Sequence, residues 1–235
     1  MIKLRRILFE GVSPKTFITV MDARGSLRYP LIAEILDVKE FYDMNKEKID
    51  RILQSATEFK FLGAGANGSA FSLGNNQVLK IEKSARRPEE IAAHFAKQSK
   101  TGKYLPNIYD YGTLVTDYGS TLSYAILERM EIPSDEDLEV LSKVLIEIVN
   151  KMWIYKDSKV LDIEKMVKEK RKQEVDSLTN KLVLKKNWLK TLIADMFKLR
   201  KMGITDFHSG NIGIRRMGSG AQGFTKPEGY LVFFD

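Results

Sequence analysis

A short polar stretch at residues 202–211 carries side chains whose types and spacing suit work on a phosphate group. Its sequence is Met-Gly-Ile-Thr-Asp-Phe-His-Ser-Gly-Asn, so Asp206 and Asn211 lie five positions apart with His208 between them. Asp206 could orient or deprotonate an attacking hydroxyl, and Asn211 could hold a metal ion on the phosphates. The alternative is a polar loop after a helix, in which both residues only shape a turn. These residues alone leave the two interpretations open.

Three glycines, Gly63, Gly65 and Gly68, form a second candidate element with G-x-G-x-x-G spacing. The pattern is weak by itself, and its commonest alternative is a dinucleotide-binding turn, which must open a helix. After Gly68 the chain gives an apolar run, a Gly-Asn-Asn turn at 74–76 and another apolar run, which is typical of a hairpin. We therefore predict a strand–turn–strand flap. Its glycines would let the backbone approach phosphates closely, because glycine has no Cβ.

Lys80 lies one predicted strand after these glycines, in the apolar run 78–81. A lysine in a half-buried strand needs an anion or a water-facing side. Beside the flap that anion would be a phosphate, and the alternative is an ordinary outward-facing lysine. A helix start follows at 86–90, where Glu89 or Glu90 could bind the Lys80 ammonium or face water in the first turn. We favour Glu90 as the partner.

Composition narrows the class of protein. The chain has 235 residues, 43% of them hydrophobic, with no Cys and two His, so disulfides and thiolate metal sites are excluded. Neither a signal-peptide pattern nor an apolar run of about 20 residues is present, so we expect a cytoplasmic (intracellular) protein without a membrane partner. Residues 164–190 hold nine Lys or Arg against four Asp or Glu. A solvated helix face is favoured over a nucleic-acid surface, because aromatic residues do not alternate with the basic ones.

The surrounding elements predict an α+β protein in three parts. Residues 1–57 read as a helical N-terminal extension. Residues 58–130 read as a small lobe with an antiparallel sheet, whose last strand runs into a connector at 128–130. Residues 131–235 read as a mostly helical lobe, with helical patterns at 138–153 and 163–201 and a final strand, 230–234, ending at Asp235. The helix ending near 201 would deliver the Asp206 loop.

These pieces, in this order, resemble the protein-kinase-like superfamily of protein kinases and aminoglycoside and choline phosphotransferases. The resemblance implies a two-lobed fold with an abbreviated second lobe and a nucleotide, ATP, as cofactor. Gly63, Gly65 and Gly68 look like its glycine-rich loop, and Lys80 looks like its phosphate-binding strand lysine. The stretch from Glu128 to Met130 looks like the hinge whose backbone holds adenine.

The resemblance extends to the second half of the chain. Asp206 is similar to the family's catalytic aspartate, and Asn211 and Asp235 are similar to its Mg²⁺ ligands. It implies transfer of the γ-phosphoryl group of ATP to a hydroxyl on a protein or small-molecule substrate.

The sequence departs from the family pattern at several points. Ile204 and Thr205 replace the usual His-Arg before the catalytic aspartate, and His208 is more typical of small-molecule phosphotransferases. The glycine after the metal-binding aspartate and the activation segment do not follow Asp235. We therefore expect a minimal or truncated member, or one completed by a protein partner. The alternative is a catalytically inactive pseudokinase that serves as a nucleotide-binding or protein-interaction module.

Overall fold

A computed structural model describes residues 11–22, 35, 37–65, 68–83, 106–155, 159–203, 205, 207–216 and 228–233. The chain divides into two compact units, residues 1–102 with 107–129 and residues 103–106 with 130–235. The described residues form an α+β structure with seven α-helices, a five-stranded antiparallel sheet and a two-stranded sheet. No helix in these ranges is both long and apolar enough to cross a bilayer.

In the part of the first unit that the structure describes, there are three helices and the larger sheet. Its strands lie in the order β1-β2-β3-β5-β4, and every neighbouring pair is antiparallel. The elements are α1 (Pro14–Asp22), α2 (Val38–Met44), α3 (Lys46–Ser55), β1 (Lys60–Ala64), β2 (Gly68–Gly74), β3 (Gln77–Lys83), β4 (Ile108–Val115) and β5 (Thr121–Glu128).

The turn between β2 and β3 falls where the sequence predicts it. Gly74, Asn75 and Asn76 all have positive φ, at 73°, 47° and 60°. Glycine and asparagine are the residues that tolerate this left-handed region best. A Cβ on Gly74 would also lie 1.9 Å from Oγ1 of Thr57. The residue types at 74–76 therefore determine where the chain turns between β2 and β3.

One face of the sheet and the N-terminal helices share a single core. Side chains alternate along each strand, so every second residue of β2, β3 and β5 points toward the helices. Ala70, Lys80 and Ala125 have the opposite parity and lie on the other face. Buried members of this core include Phe17, Phe41, Leu53, Phe71, Leu73, Leu79, Ile81 and Ile126.

Asn45, between α2 and α3, binds the edge strand β4. The residue is 4% exposed, and its Nδ2 donates to the carbonyls of Phe41 and Val115 at 2.8 Å each. Its Oδ1 accepts from the Val115 amide at 2.8 Å. The carboxamide thus makes the two hydrogen bonds to Val115 that a neighbouring strand would otherwise make. The Lys48 ammonium also donates to the Thr113 carbonyl.

Replacing Asn45 by Asp should destabilise the first unit strongly. The side chain keeps its size, but an acceptor then faces two carbonyl oxygens, and we expect a loss of about 3 kcal/mol in unfolding free energy at neutral pH. Urea unfolding measures it, with the exposed turn residue Asn75→Asp as control. The loss in unfolding free energy should be smaller at acidic pH, because a protonated Asp carboxyl can donate a hydrogen bond to one of the two carbonyls. Equal stability of the two variants would contradict this role of Asn45.

The second unit is mostly helical and contains the two-stranded sheet. Most of the buried apolar side chains that the structure describes here form one cluster, to which four helices and two strands contribute. Its elements are α4 (Asp135–Ile154), α5 (Val160–Lys170), α6 (Lys172–Lys181), α7 (Trp188–Lys201), a 3₁₀ turn (Ser209–Asn211), β6 (Ile212–Arg216) and β7 (Gly229–Phe233).

The helical stretch predicted at 163–201 is divided into three helices. The first break lies at Arg171, and the second spans residues 182–187. Val183 there has φ 49°, which a continuing helix does not allow. Leu184 forms an isolated bridge with Gly229 of β7, so the second break carries a strand-like contact. This contact lies 45 residues away in sequence, and the helical periodicity does not reveal it.

Glu147 of α4 is a buried carboxylate held by two lysines. Its side chain is 5% exposed, and its Oε atoms lie 2.6 Å from Nζ of Lys170 and 3.6 Å from Nζ of Lys151. The hydrogen bond from Lys170 lowers the pKa of this carboxyl below 4.5, against the opposing effect of burial. Since Lys170 belongs to α5, the pair ties α4 to α5.

The contribution of Glu147 to stability should depend on pH. Because its pKa is lowered by folding, the ionised form stabilises the protein above pH 4.5, and this contribution is lost as the pH falls through the folded-state pKa. Thermal unfolding should therefore show Glu147→Gln less stable than wild type at pH 7, with the difference shrinking as the pH falls below 4.5. The control Glu139→Gln removes an exposed i,i+4 pair with Lys143. A stability difference between Glu147→Gln and wild type that stays constant with pH would show that the ionised carboxylate does not stabilise the fold.

Candidate functional site

The glycine-rich segment lies on two antiparallel strands and not at the start of a helix. Gly63 belongs to β1, Gly68 begins β2, and residues 66–67 between them lie outside the described residues. In the hairpin register Ala70 pairs with Lys80 and Gly68 pairs with Glu82. The predicted strand–turn–strand flap is therefore confirmed in its flanks, and the dinucleotide-binding turn is excluded, since that turn opens a helix.

The three glycines differ in what packing demands of them. A Cβ on Gly68 would lie 2.5 Å from the Ile81 carbonyl oxygen and 2.9 Å from Cγ of Glu82, so the hairpin itself requires glycine there. A Cβ on Gly63 or Gly65 would meet no atom within 4 Å. Packing therefore does not explain these two glycines, and their predicted approach to phosphate stays a prediction.

Lys80 forms an ion pair within its own strand. Its Nζ lies 2.7 Å from Oε1 of Glu82, and the side chains are 21% and 26% exposed. Residues two apart on a strand share a face, so the pair lies on the face opposite the helical core. The strand neighbours of Lys80 are Ala70 and Ala125, which both have short side chains.

Glu82 is a partner that the sequence interpretation missed. The period of two along the strand 77–83 was the signal that could have found it, because it puts residues 80 and 82 on one face. The predicted partner, Glu90, lies outside the described residues. Glu90 therefore stays a prediction, and the carboxylate observed at Lys80 is that of Glu82.

The predicted hinge uses part of its backbone to complete the sheet. The Glu128 amide donates to the Asn107 carbonyl at 2.8 Å, and the Arg129 amide donates to the Asn76 carbonyl at 2.8 Å. Neither N–H can therefore bind a ligand without breaking a sheet contact. The prediction that hinge backbone holds a base is therefore narrowed to the Met130 amide.

The loop predicted to be catalytic ends in a short 3₁₀ turn. His208 caps this turn, its Nδ1 accepting from the Gly210 amide at 3.1 Å. Asn211 is 5% exposed, and its amide donates to the His208 carbonyl at 3.1 Å. Asp206 lies outside the described residues. Asn211 is thus held at the start of β6 by its own backbone and by burial.

Two aromatic rings connect this loop to the last strand. Phe207 and Phe233 meet edge to face with ring centroids 5.2 Å apart, and Ile212 pairs with Phe233 in the β6–β7 register. In the sequence Phe207 follows Asp206, and Phe233 precedes Asp235 by two positions. Asp235, like Asp206, lies outside the described residues, so the observed contact is between Phe207 and Phe233 alone.

The structure describes one of the two residues that the sequence predicts as Mg²⁺ ligands. No cluster of three or more Asp, Glu or His side chains that would suit a metal occurs among the described residues. The predicted Mg²⁺ ligands are Asn211 and Asp235, and only Asn211 belongs to that part of the chain. A carboxamide oxygen is a hard ligand of the kind that Mg²⁺ accepts.

Just over half of the cations in the basic stretch at 164–190 are paired with carboxylates. Five of its nine cations form ion pairs within 4 Å, which weakens the case for a nucleic-acid surface. The paired residues are Lys165, Lys168, Lys170, Arg171 and Lys181.

Comparison with known proteins adds no relative. No protein-family model matches this sequence, and no curated protein matches it. The kinase-like interpretation therefore depends on the residues and contacts given above.

Proposed function

We propose that this protein is an ATP-dependent phosphotransferase, which transfers the γ-phosphoryl group of ATP to a hydroxyl on a protein or small molecule. The observation that carries the proposal is the β2–β3 hairpin, which pairs Gly68 with Glu82 and Ala70 with Lys80. A glycine-rich hairpin beside a partly exposed ammonium suits the binding of phosphate oxygens.

Each predicted residue then has one role. The ammonium of Lys80 neutralises phosphate charge. Asn211 with Asp235 would hold Mg²⁺, which would supply charge stabilisation on the phosphates. Asp206 orients the acceptor hydroxyl and takes its proton. The hydroxyl oxygen forms a bond to the γ-phosphorus while the bond from that phosphorus to the β–γ bridging oxygen breaks, and ADP leaves with the electron pair. Catalysis of this kind is mainly positioning and charge stabilisation.

The test uses the whole chain with radiolabelled ATP and Mg²⁺. Calorimetry measures nucleotide binding, and label transfer to the protein itself and to a panel of protein, sugar and amino-alcohol hydroxyls measures turnover. Binding followed by Mg²⁺-dependent transfer supports the proposal. Absence of nucleotide binding would overturn it.

A non-catalytic nucleotide-binding module is the second candidate. Ile204 and Thr205 stand where kinases carry His-Arg, and this departure favours a protein that binds without transferring. Nucleotide binding without label transfer to any acceptor would select this candidate.

A further inference from the structure

Glu131, the residue after the predicted hinge, is bound to β6 through both its backbone and its side chain. Its amide donates to the Ile214 carbonyl at 3.1 Å, and the Ile214 amide donates back to the Glu131 carbonyl at 2.7 Å. Arg216 donates from Nε to Oε2 at 2.7 Å and from Nη2 to Oε1 at 2.9 Å. Four hydrogen bonds therefore fix one residue on one short strand.

Arg216 also binds the end of a helix. Its Nη1 donates to the Leu182 carbonyl at 2.7 Å, so a single guanidinium connects the post-hinge segment, β6 and the end of α6. The side chain is 15% exposed. Lysine cannot make the same set of contacts, because it lacks the planar fork that pairs with both carboxylate oxygens.

The hinge residue Met130 packs directly on this strand. It is 8% exposed, and a Cβ on Gly213 would lie 2.4 Å from the Met130 Cβ. Gly213 follows Asn211 by two positions, and Asn211 ends the 3₁₀ turn that leads directly into β6. The Met130 amide and the Asn211 side chain therefore belong to one small, tightly bonded piece of the second unit.

We propose that the Glu131–Arg216 pair is a positioning device, which sets the distance between the Met130 amide and Asn211. This inference rests on the proposed function and adds to it. A base bound at the Met130 amide and a metal held at Asn211 belong to one nucleotide, so both contacts form together only if their separation is fixed. Neither Glu131 nor Arg216 touches the nucleotide in this scheme.

Adenosine and Mg-ATP distinguish positioning from simple structural support. Adenosine carries the base and lacks the phosphates, so it needs only the Met130 contact. Arg216→Lys should weaken Mg-ATP binding about tenfold more than adenosine binding, a coupling within the range seen for two linked contacts. Calorimetric Kd values for the two ligands give this ratio without any activity assay.

The control is Arg171→Lys, which alters a comparable Arg–carboxylate pair with Glu174 on α6. It should leave both Kd values unchanged. Glu131→Gln provides a second variant if Arg216→Lys does not fold, as judged by thermal unfolding, and the same tenfold difference is expected. An equal increase in the Kd values of both ligands, or no change in either Kd, would overturn the positioning role. Failure of the wild-type protein to bind both ligands would overturn the proposed function itself, and this proposal with it.

Discussion

Asp206→Ala should abolish phosphoryl transfer while leaving nucleotide binding intact. Removing a residue that orients and deprotonates the acceptor hydroxyl lowers the rate by about 10²–10⁴-fold. The Kd for Mg-ATP should change little, because Asp206 is assigned to the acceptor and not to the nucleotide. The rate of label transfer from radiolabelled ATP and the calorimetric Kd, measured on the same preparation, provide the two values.

The control for Asp206 is the exposed carboxylate Asp176 of α6, whose change to Ala should alter neither value. Asp206→Asn adds a stricter comparison, because the amide keeps the size of the side chain and removes its basicity. Unchanged transfer in Asp206→Ala would rule out its assigned role. A parallel loss of nucleotide binding would assign Asp206 to the nucleotide instead.

Lys80→Met should reduce transfer by about 10²–10³-fold, the range typical for the loss of one group that stabilises charge in the transition state. Methionine keeps the unbranched apolar stem of the side chain and lacks only the terminal ammonium, so strand β3 should still pair with β2 and β5. The change also leaves Glu82 without the ammonium that lies 2.7 Å from it. Transfer rates at saturating ATP are the measurement.

Two comparisons make the Lys80 result specific. Lys60→Met changes an exposed lysine at the start of β1 and should leave transfer unchanged. Glu82→Gln keeps the ammonium and should reduce transfer less than Lys80→Met does. If Lys80→Met transfers phosphate at the wild-type rate, the lysine is an ordinary strand residue and the phosphate assignment is wrong.

The parts of this protein that the sequence predicts well are those fixed by local chemistry. The turn at 74–76 needs positive φ, and the sequence supplies Gly-Asn-Asn there. The cap of α4 is equally local, since Oγ of Ser134 accepts from the Asp137 amide three residues on. Both features follow from neighbouring residues alone, so periodicity and turn rules suffice to find them.

Contacts between distant residues were not predictable in the same way. Asn45 bonds to Val115, which lies 70 residues away, and Arg216 bonds to Glu131 across 85 residues. Neither residue stands out in the sequence, because an asparagine between helices and an arginine ending a strand are both common at surfaces. Their long-range hydrogen bonds become visible only once the chain is folded.

The candidate site shows both kinds of outcome. Strand alternation makes the Lys80–Glu82 pair derivable from sequence, although the interpretation looked further along the chain to Glu90. The contact between Phe207 and Phe233 needs the β6–β7 register, which aromatic spacing does not give. Asp206, Asp235 and Glu90 lie outside the described residues, so their assigned roles stay predictions.

The bonds that Asn45 makes to Val115 have a consequence for self-association. An outer strand whose amides and carbonyls point to solvent is a template on which a second chain can lengthen the sheet. Here the amide and carbonyl of Val115, the carbonyl of Thr113 and the amide of Tyr111 already bond to side chains of the same molecule. A second chain that added to the sheet at β4 would first have to displace these side-chain bonds, two of which come from Asn45.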